Sequence, residues 1–437
     1  VRRHKVSLFG RKRVRPYTFE AWVSRFPQHR QKALRSAHAD LQRSGITEAE
    51  WSLYLLIEGF VKKEKTLNVA DNTLVGDGLF VKYPRFIQGR KPHRMVMSGP
   101  TVLAFTHRMK RRWSIRRFKK TGLIYTSGMN ANTLGAAYAK VRKFHARRHG
   151  SVAGVENDCD GFDYHCEDGA IGFELRTLRL CGIRSLAYEA CRRNYVTKGY
   201  MPSGLRFSGK YKRHSGDDIT SAGNTNINGT ALARMAERTH ARLGLPGRWQ
   251  HYVTFFVQGD DSFGLGCATF LRELGAELVL YERMGMLAKW VYRPDVDLIE
   301  FCSGRFYPVD ETYVFGPKLG RAIAKMFWST RSYPTLAQQW ALGVAYGARD
   351  DYNHVPVLRT LTRRVRALYS HLRPYQPKEY EYRPRAAFKS EATANTFEFV
   401  QKVYGVTYAQ LMHIEATIRR INHLPATIRH PILDMIV

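Results

Sequence analysis

Cysteine is scarce and carries no pattern. The six residues, Cys159, Cys166, Cys181, Cys191, Cys267 and Cys302, form no CxxC pair and no zinc-knuckle spacing. That excludes a disulfide-stapled scaffold and a zinc ribbon, and reads as free thiols in a reducing compartment. Long apolar runs are also missing. The best candidate, residues 51–61, is interrupted by Glu58 and falls short of the ~18 residues that a membrane span requires, so membrane association would be peripheral or through a partner. The chain begins on Val1 without a signal-peptide pattern, which places the expected true start upstream or at a processing site. No internal repeat or low-complexity segment is present. His145 and His149 stand at i, i+4 among arginines with no acid or Cys beside them, and read as solvated helix residues rather than metal ligands.

Acid is the other deficit. Against 70 Lys+Arg there are 37 Asp+Glu, a formal charge of +33. A folded chain carries such self-repulsion more easily when a polyanion screens it, so nucleic acid is the first partner to expect and an anionic membrane surface the second. The 437 residues, 44% hydrophobic and 24% charged, suit a folded protein with a large core, as one big unit or as two or three subdomains.

The organising stretch is HYVTFFVQGDDSFGLGC, residues 251–267. Two apolar runs flank Gly259, Asp260 and Asp261, the pattern of a β-hairpin with two carboxylates at its tip. Asp and Gly are also ordinary turn residues. Adjacent carboxylates on a tight turn repel each other, however, and a hard divalent cation with oxygen ligands would neutralise them.

Basic segments precede it. Residues 1–16 form an arm rich in Arg and Lys, suited to phosphate or merely solvated. FVKKEK at 60–65 and KYPRFIQGRKPHR at 82–94 place Lys65, Lys82, Arg85 and Arg90 on extended, proline-punctuated backbone that could line a groove for a triphosphate or a nucleic-acid backbone. Phe86 and Ile87 argue for an ordered strand there. Residues 107–120 set cations around Trp113 and Phe118, an interleaving that suits single-stranded nucleic acid. Thr47 with Glu48 and Glu50 marks a helix start before the apolar segment 51–57.

Residues 152–158 read as a strand running into DCDGFDYH, which puts Asp158 at a strand end and Asp163 at the start of the next element. A helix follows over about 168–181, with Gly182 as its stop signal. RHSGDDITSAGN then supplies a Ser215-Gly216 loop and a helix from about Ile219 with Thr220 and Asn224 on one face. Such small polar residues serve close packing or read a sugar hydroxyl. Beyond the 251–267 hairpin come an amphipathic helix over 268–279, Lys289 in a loop before a strand, and a tight hairpin over 299–308. Helical patterns cover 335–346, 355–372 and 406–421, with a Pro- and Tyr-rich linker at 373–385.

In this order the segments resemble the motif series of viral RNA-dependent RNA polymerases, most closely the tombusvirus-like and nodavirus-like group of positive-strand RNA viruses. The resemblance covers about residues 60–305. FVKKEK and KYPRFIQGR look like the basic fingers motif, DCDGFDYH like the first palm motif, SGDDITSAGN like the second, QGDDS like the third, Lys289 like the lysine of the fourth, and EFCSGR like the primer grip. The resemblance implies an α+β right-hand fold with an antiparallel-sheet palm and a mainly helical thumb. It places an N-terminal arm and fingers at 1–150, a palm at 151–308 with a fingers insertion near 183–212, and a thumb at 309–437. It implies template-directed RNA synthesis from NTPs, with Asp158, Asp260 and Asp261 holding two Mg²⁺ or Mn²⁺ ions and Lys289 protonating pyrophosphate. Asp163, Ser215, Gly216, Thr220 and Asn224 would bind the NTP and its ribose. Lys65, Lys82, Arg85 and Arg90 would bind the triphosphate, and Phe301, Cys302 and Ser303 would form the primer grip. Implied partners are template and nascent RNA, NTPs, and viral or host replication proteins at membrane-associated complexes in the host cytoplasm. Asp160-Gly161 departs from the Ser-Arg usual at that place in tombusvirus enzymes. A reverse transcriptase or other palm polymerase shares the acids but lacks the Ser215, Thr220, Asn224 series. A non-catalytic basic RNA-binding or capsid protein explains the charge but gives no reason for the acids.

Overall fold

The computed structural model describes residues 9–10, 13–43, 46–62, 85–210, 212–329, 332–333, 335–376, 390–426, 428 and 430–436. They fall into two compact units. One comprises the chain up to Lys62 with Arg85–Ser127 and Phe144–Val296; the other contains Gly128–Lys143 and Asp297–Val437. Helices and sheets are both prominent, the α+β character expected.

Among its described residues the first unit contains nine strands: β1 (Ile57–Val61), β2 (Phe86–Arg90), β3 (Leu123–Tyr125), β4 (Ala153–Asp160), β5 (Val196–Tyr200), β6 (Arg206–Lys210), β7 (Val253–Gln258), β8 (Asp261–Gly266) and β9 (Leu287–Arg293). They build a four-stranded sheet of order β2-β1-β5-β6 and a five-stranded sheet of order β3-β7-β8-β4-β9. Neither is purely antiparallel, which corrects the expected sheet. β1 runs parallel to β5 and β3 parallel to β7, because long stretches of chain that include other strands separate those partners in sequence and leave their direction unconstrained by a tight turn.

Local sequence explains the elements around them. Thr47 and Glu50 form a capping box at the start of helix Glu48–Tyr54. Pro92 opens helix Pro92–Arg112 at the one place where its missing N–H costs nothing. Helix Asp168–Leu180 closes as a Schellman motif, Gly182 N–H donating to Arg179 and Ile183 N–H to Leu178. Interior strand β7 is apolar except for Thr254 and buried throughout from Val253 to Val257. It joins Phe105, Met109, Trp113, Leu123, Leu175 and Ile227 in the main core.

Trp113 belongs to that core and Phe118 is also buried, 0% and 2% exposed, so the aromatic platform expected among the cations of 107–120 is not there. Of its cations, Lys110 lies over the Tyr125 ring at 5.9 Å and Lys119 over Phe144 at 4.9 Å. His145 is likewise 0% exposed and shares a hydrogen bond of 3.0 Å with the Thr254 hydroxyl through Nε2, which corrects its reading as solvated. Burial, with His149 and Arg148 nearby, pushes its pKa down to about 3.

The second unit is mainly helical around one hairpin, β10 (Gly304–Val309) with β11 (Thr312–Pro317). Its core gathers Tyr307, Leu319, Leu358, Phe399, Val400, Leu411 and Ile414. The hairpin expected over 299–308 is displaced along the chain, because residues 301–304 make only a tight turn that leads into β10. Helices at Ala337–Tyr352, Leu358–Leu368 and Tyr408–Arg419 match the patterned segments, and Ala394–Tyr404 adds one that the pattern did not show.

Candidate functional site

Asp158, Asp260 and Asp261 lie toward one end of the five-stranded sheet. β4 alternates from Glu156 onward, turning Asn157 and Cys159 inward and leaving Asp158 and Asp160 exposed. Asn157 opposes Ser262 on β8, so Asp158 lies one residue beyond that pair and Asp261 one residue before it on the neighbouring strand. Across the other edge of β4, Asp158 opposes Lys289. Gln258 and Asp261 are the last pair of the β7–β8 hairpin, which leaves Gly259 and Asp260 as a two-residue loop. Gly259 has φ +67, the left-handed conformation that a two-residue hairpin with glycine first requires. The two carboxylates are therefore not both at the tip: Asp260 is in the loop and Asp261 begins β8.

Asp260 is half-buried, and its carboxyl is raised above the ordinary carboxylate range, by burial first and then by the negative charges of Asp158 and Asp163. Among the described residues no three His, Cys, Asp or Glu side chains converge into a ready metal cage. The donor set is nonetheless all carboxylate oxygen, the type that Mg²⁺ and Mn²⁺ take. The mutual repulsion felt at Asp260 is what a bound cation would relieve. Asp158, Asp260 and Asp261 fit such an ion on that ground.

A closed ring of buried hydrogen bonds fixes the loop. Asn228 Nδ2 donates to the carbonyls of Gly259 (3.1 Å) and Asp260 (2.6 Å), and its Oδ1 accepts from the Tyr281 hydroxyl at 2.5 Å. That hydroxyl accepts from Asn157 Nδ2 at 3.2 Å, the Ser262 hydroxyl donates to the Asn157 carbonyl at 3.3 Å, and the Thr225 hydroxyl accepts from Gly259 N–H at 2.8 Å. Sequence reasoning missed Asn157, Thr225, Asn228, Ser262 and Tyr281. The signal available was Thr225 and Asn228, three residues apart and so on one face of a helix, both buried.

A second centre forms around Asp163. Ser215 Oγ donates to its Oδ2 at 2.9 Å and Asn224 Nδ2 to its Oδ1 at 2.7 Å. Three of the residues expected to read a ribose are thus joined. Thr220 is not among them, because its hydroxyl donates to the His214 carbonyl at 2.6 Å at the start of helix Thr220–Arg242. Gly216 passes so close to β2 that a Cβ there would sit 1.9 Å from the Gln88 carbonyl oxygen. The next two residues anchor the loop. Asp217 pairs with Arg90 at 2.5 Å, and Asp218 accepts from Ser98 Oγ at 2.5 Å beside Arg94. Burial alone would raise the Asp217 carboxyl, but Arg90, His214 and Arg94 outweigh it and hold the group below the usual range.

That pairing redefines Arg90. Its side chain is 2% exposed, with Nε on Asp217 and one terminal nitrogen on the Leu55 carbonyl at 2.7 Å, so it works as a loop anchor and not as a groove-lining cation. Arg85 is exposed at the foot of β2, and Lys65 and Lys82 lie outside the described residues. Lys289 lies inside β9, not in a loop, because residues 287–293 pair along β4; its ammonium is 3.6 Å from Asp160. In the second unit Phe301 is buried against Phe315, while Cys302 and Ser303 are exposed at the turn with φ +45 and +60. Two mutual backbone hydrogen bonds between Phe301 and Gly304, at 3.0 and 2.8 Å, close that turn.

No protein family matches this chain, and no curated protein matches its sequence.

Proposed function

We propose that the chain is an RNA-directed RNA polymerase of the right-hand type, replicating and transcribing the genome of a positive-strand RNA virus by two-metal-ion nucleotidyl transfer. The observation that carries the reading is the double hydrogen bond from Ser215 and Asn224 to Asp163, in the same unit as the Asp158, Asp260 and Asp261 acids. The second motif segment thereby meets the first at the Asp163 carboxylate. Bound ions would lower the pKa of an attacking hydroxyl and neutralise phosphate charge. Asp158, Asp260 and Asp261 would hold them.

The remaining work falls to the chain's own side chains. A carboxylate offers about four lone-pair sites, so Asp163, with two in use, keeps acceptor capacity for a ribose hydroxyl. Lys289, largely exposed beside Asp160, would donate a proton to the departing pyrophosphate. In this reading Phe301–Ser303 grip the primer, Arg85, Lys65 and Lys82 meet the triphosphate, and the mainly helical second unit contains the thumb. A basic RNA-binding protein without catalysis would account for the charge of +33, but it assigns no task to the Asp163 centre.

The test is nucleotide incorporation on single-stranded RNA with Mg²⁺, comparing the intact chain with Asp260→Ala and NTPs with dNTPs. Template-dependent NTP incorporation that the substitution abolishes supports the proposal. Equal RNA binding by both proteins, with no incorporation under primed or unprimed conditions, refutes it.

A further inference from the structure

Behind Asn224 lies an ion pair that the chemistry above does not use. Arg213 and Glu174 have side chains 2% and 3% exposed, bonded as a fork at 2.6 and 3.2 Å. The third donor of the guanidinium, Nε, reaches Asn224 Oδ1 at 2.9 Å. Helix Thr220–Arg242 presses against the pair so tightly that a Cβ at Gly223 would stand 1.9 Å from Glu174 Oε2 and 2.6 Å from the nearest Arg213 nitrogen.

The consequence concerns the polarity of Asn224. A terminal amide can present oxygen or NH₂ to either side. Here Arg213 offers only N–H, so the amide oxygen must face it and the NH₂ must face Asp163. Reversing the amide would set NH₂ against the guanidinium and oxygen against the Asp163 carboxylate, two repulsions in place of two bonds. A buried ion pair is on average no more stabilising than apolar residues of the same volume, so stability alone is a weak reason for this one.

We infer that Glu174 and Arg213 are positioning residues for ribose recognition: they lock Asn224, and through it Asp163, in the orientation that distinguishes a 2′-hydroxyl from a 2′-hydrogen. This rests on the polymerase reading. The experiment compares kcat/KM for ATP and 2′-dATP on an RNA template in the intact chain, Glu174→Gln and Arg213→Lys, with thermal melting of each. Lysine keeps a cation for Glu174 but cannot supply the fork and the Asn224 bond together. The expected result is that the ATP-over-dATP ratio falls about tenfold, the worth of one hydrogen bond, through loss of ATP turnover while dATP turnover is largely retained. Equal losses for both nucleotides, or an unchanged ratio, overturn the inference. Should Glu174→Gln melt below the assay temperature, Arg213→Lys decides by the same ratio. Absence of incorporation by the intact chain overturns both readings, whereas an active chain with an indifferent ratio overturns only this one.

Discussion

Replacing Tyr281 by Phe removes one oxygen atom and opens the ring around the Gly259–Asp260 loop. The hydroxyl donates to Asn228 Oδ1 and accepts from Asn157 Nδ2, and both asparagines are buried, 0% and 3% exposed. Its loss leaves one acceptor and one donor without a partner where water does not reach. Each such group costs about 1–3 kcal/mol, so the first unit should lose about 2–6 kcal/mol. At roughly 2–4 °C per kcal/mol for a unit of this size, its melting midpoint should fall by about 4–24 °C. Asn228 also holds the carbonyls of Gly259 and Asp260, so under the proposed polymerase function nucleotide incorporation should fall at a temperature where the variant is still folded. Circular dichroism melts and steady-state incorporation measure the two effects. A midpoint within 1 °C of the intact chain, with unchanged turnover, would refute the claim that this ring sets the geometry of the loop.

Further outcomes follow from charge. Arg90→Ala should destabilise by about 3–5 kcal/mol in denaturant unfolding, because it removes the paired cation of the buried Asp217 and leaves it the Asn194 hydrogen bond; a loss of RNA affinity without destabilisation would instead make Arg90 a ligand contact. The Asp260 carboxyl is raised, so its contribution to stability is present below the unfolded carboxyl pKa and is lost as pH rises through the folded value. Asp260→Asn should therefore stabilise the protein by about 1 kcal/mol at pH 7 in EDTA; under the proposed metal role of Asp260, Mg²⁺ should raise the melting temperature of the intact chain more than that of the variant, read by thermal melting with and without the ion. His145, His214 and His354 are held down to about 3, 4 and 4, chiefly by burial. Their contribution is complete above the ordinary histidine pKa and is lost as pH falls toward those values, so stability should decline from about pH 6.5 downward. His145→Asn should flatten that slope in urea titrations at stepped pH.

Local patterns were legible in the sequence where local physics decides. The capping box at Thr47, the hairpin around Gly259, strand β4 and the helix after Ile219 all depend on residues a few positions apart. The departures share another cause. Arg90 meets an acid 127 residues away, and no sequence pattern separates such an arginine from one that lines a groove. Trp113 follows Val102, Phe105 and Met109 at helical spacing, and all four are buried; interleaving with cations on the opposite face looks the same in a core helix as in a stacking platform. His145 continues the buried stripe of Leu134, Tyr138 and Val141 on its helix, a period that outweighs the surrounding arginines. Lys289 looked like a loop residue because β9 is an edge strand whose outer side chains, Leu287 and Val291 among them, stay exposed.

The turn at Cys302 and Ser303 bears on which substitutions this chain would accept. Two consecutive non-glycine residues in the left-handed region each cost about 1–2 kcal/mol. The chain has 35 glycines and uses them at other left-handed turns, yet has none at either of these two positions. In a library of all residues at 302 and 303 scored for folding alone, Gly and Asn should be enriched and Val, Ile and Thr depleted. Scored for nucleotide incorporation, any native side chain that outcompetes glycine is one the turn keeps for a reason other than its own shape.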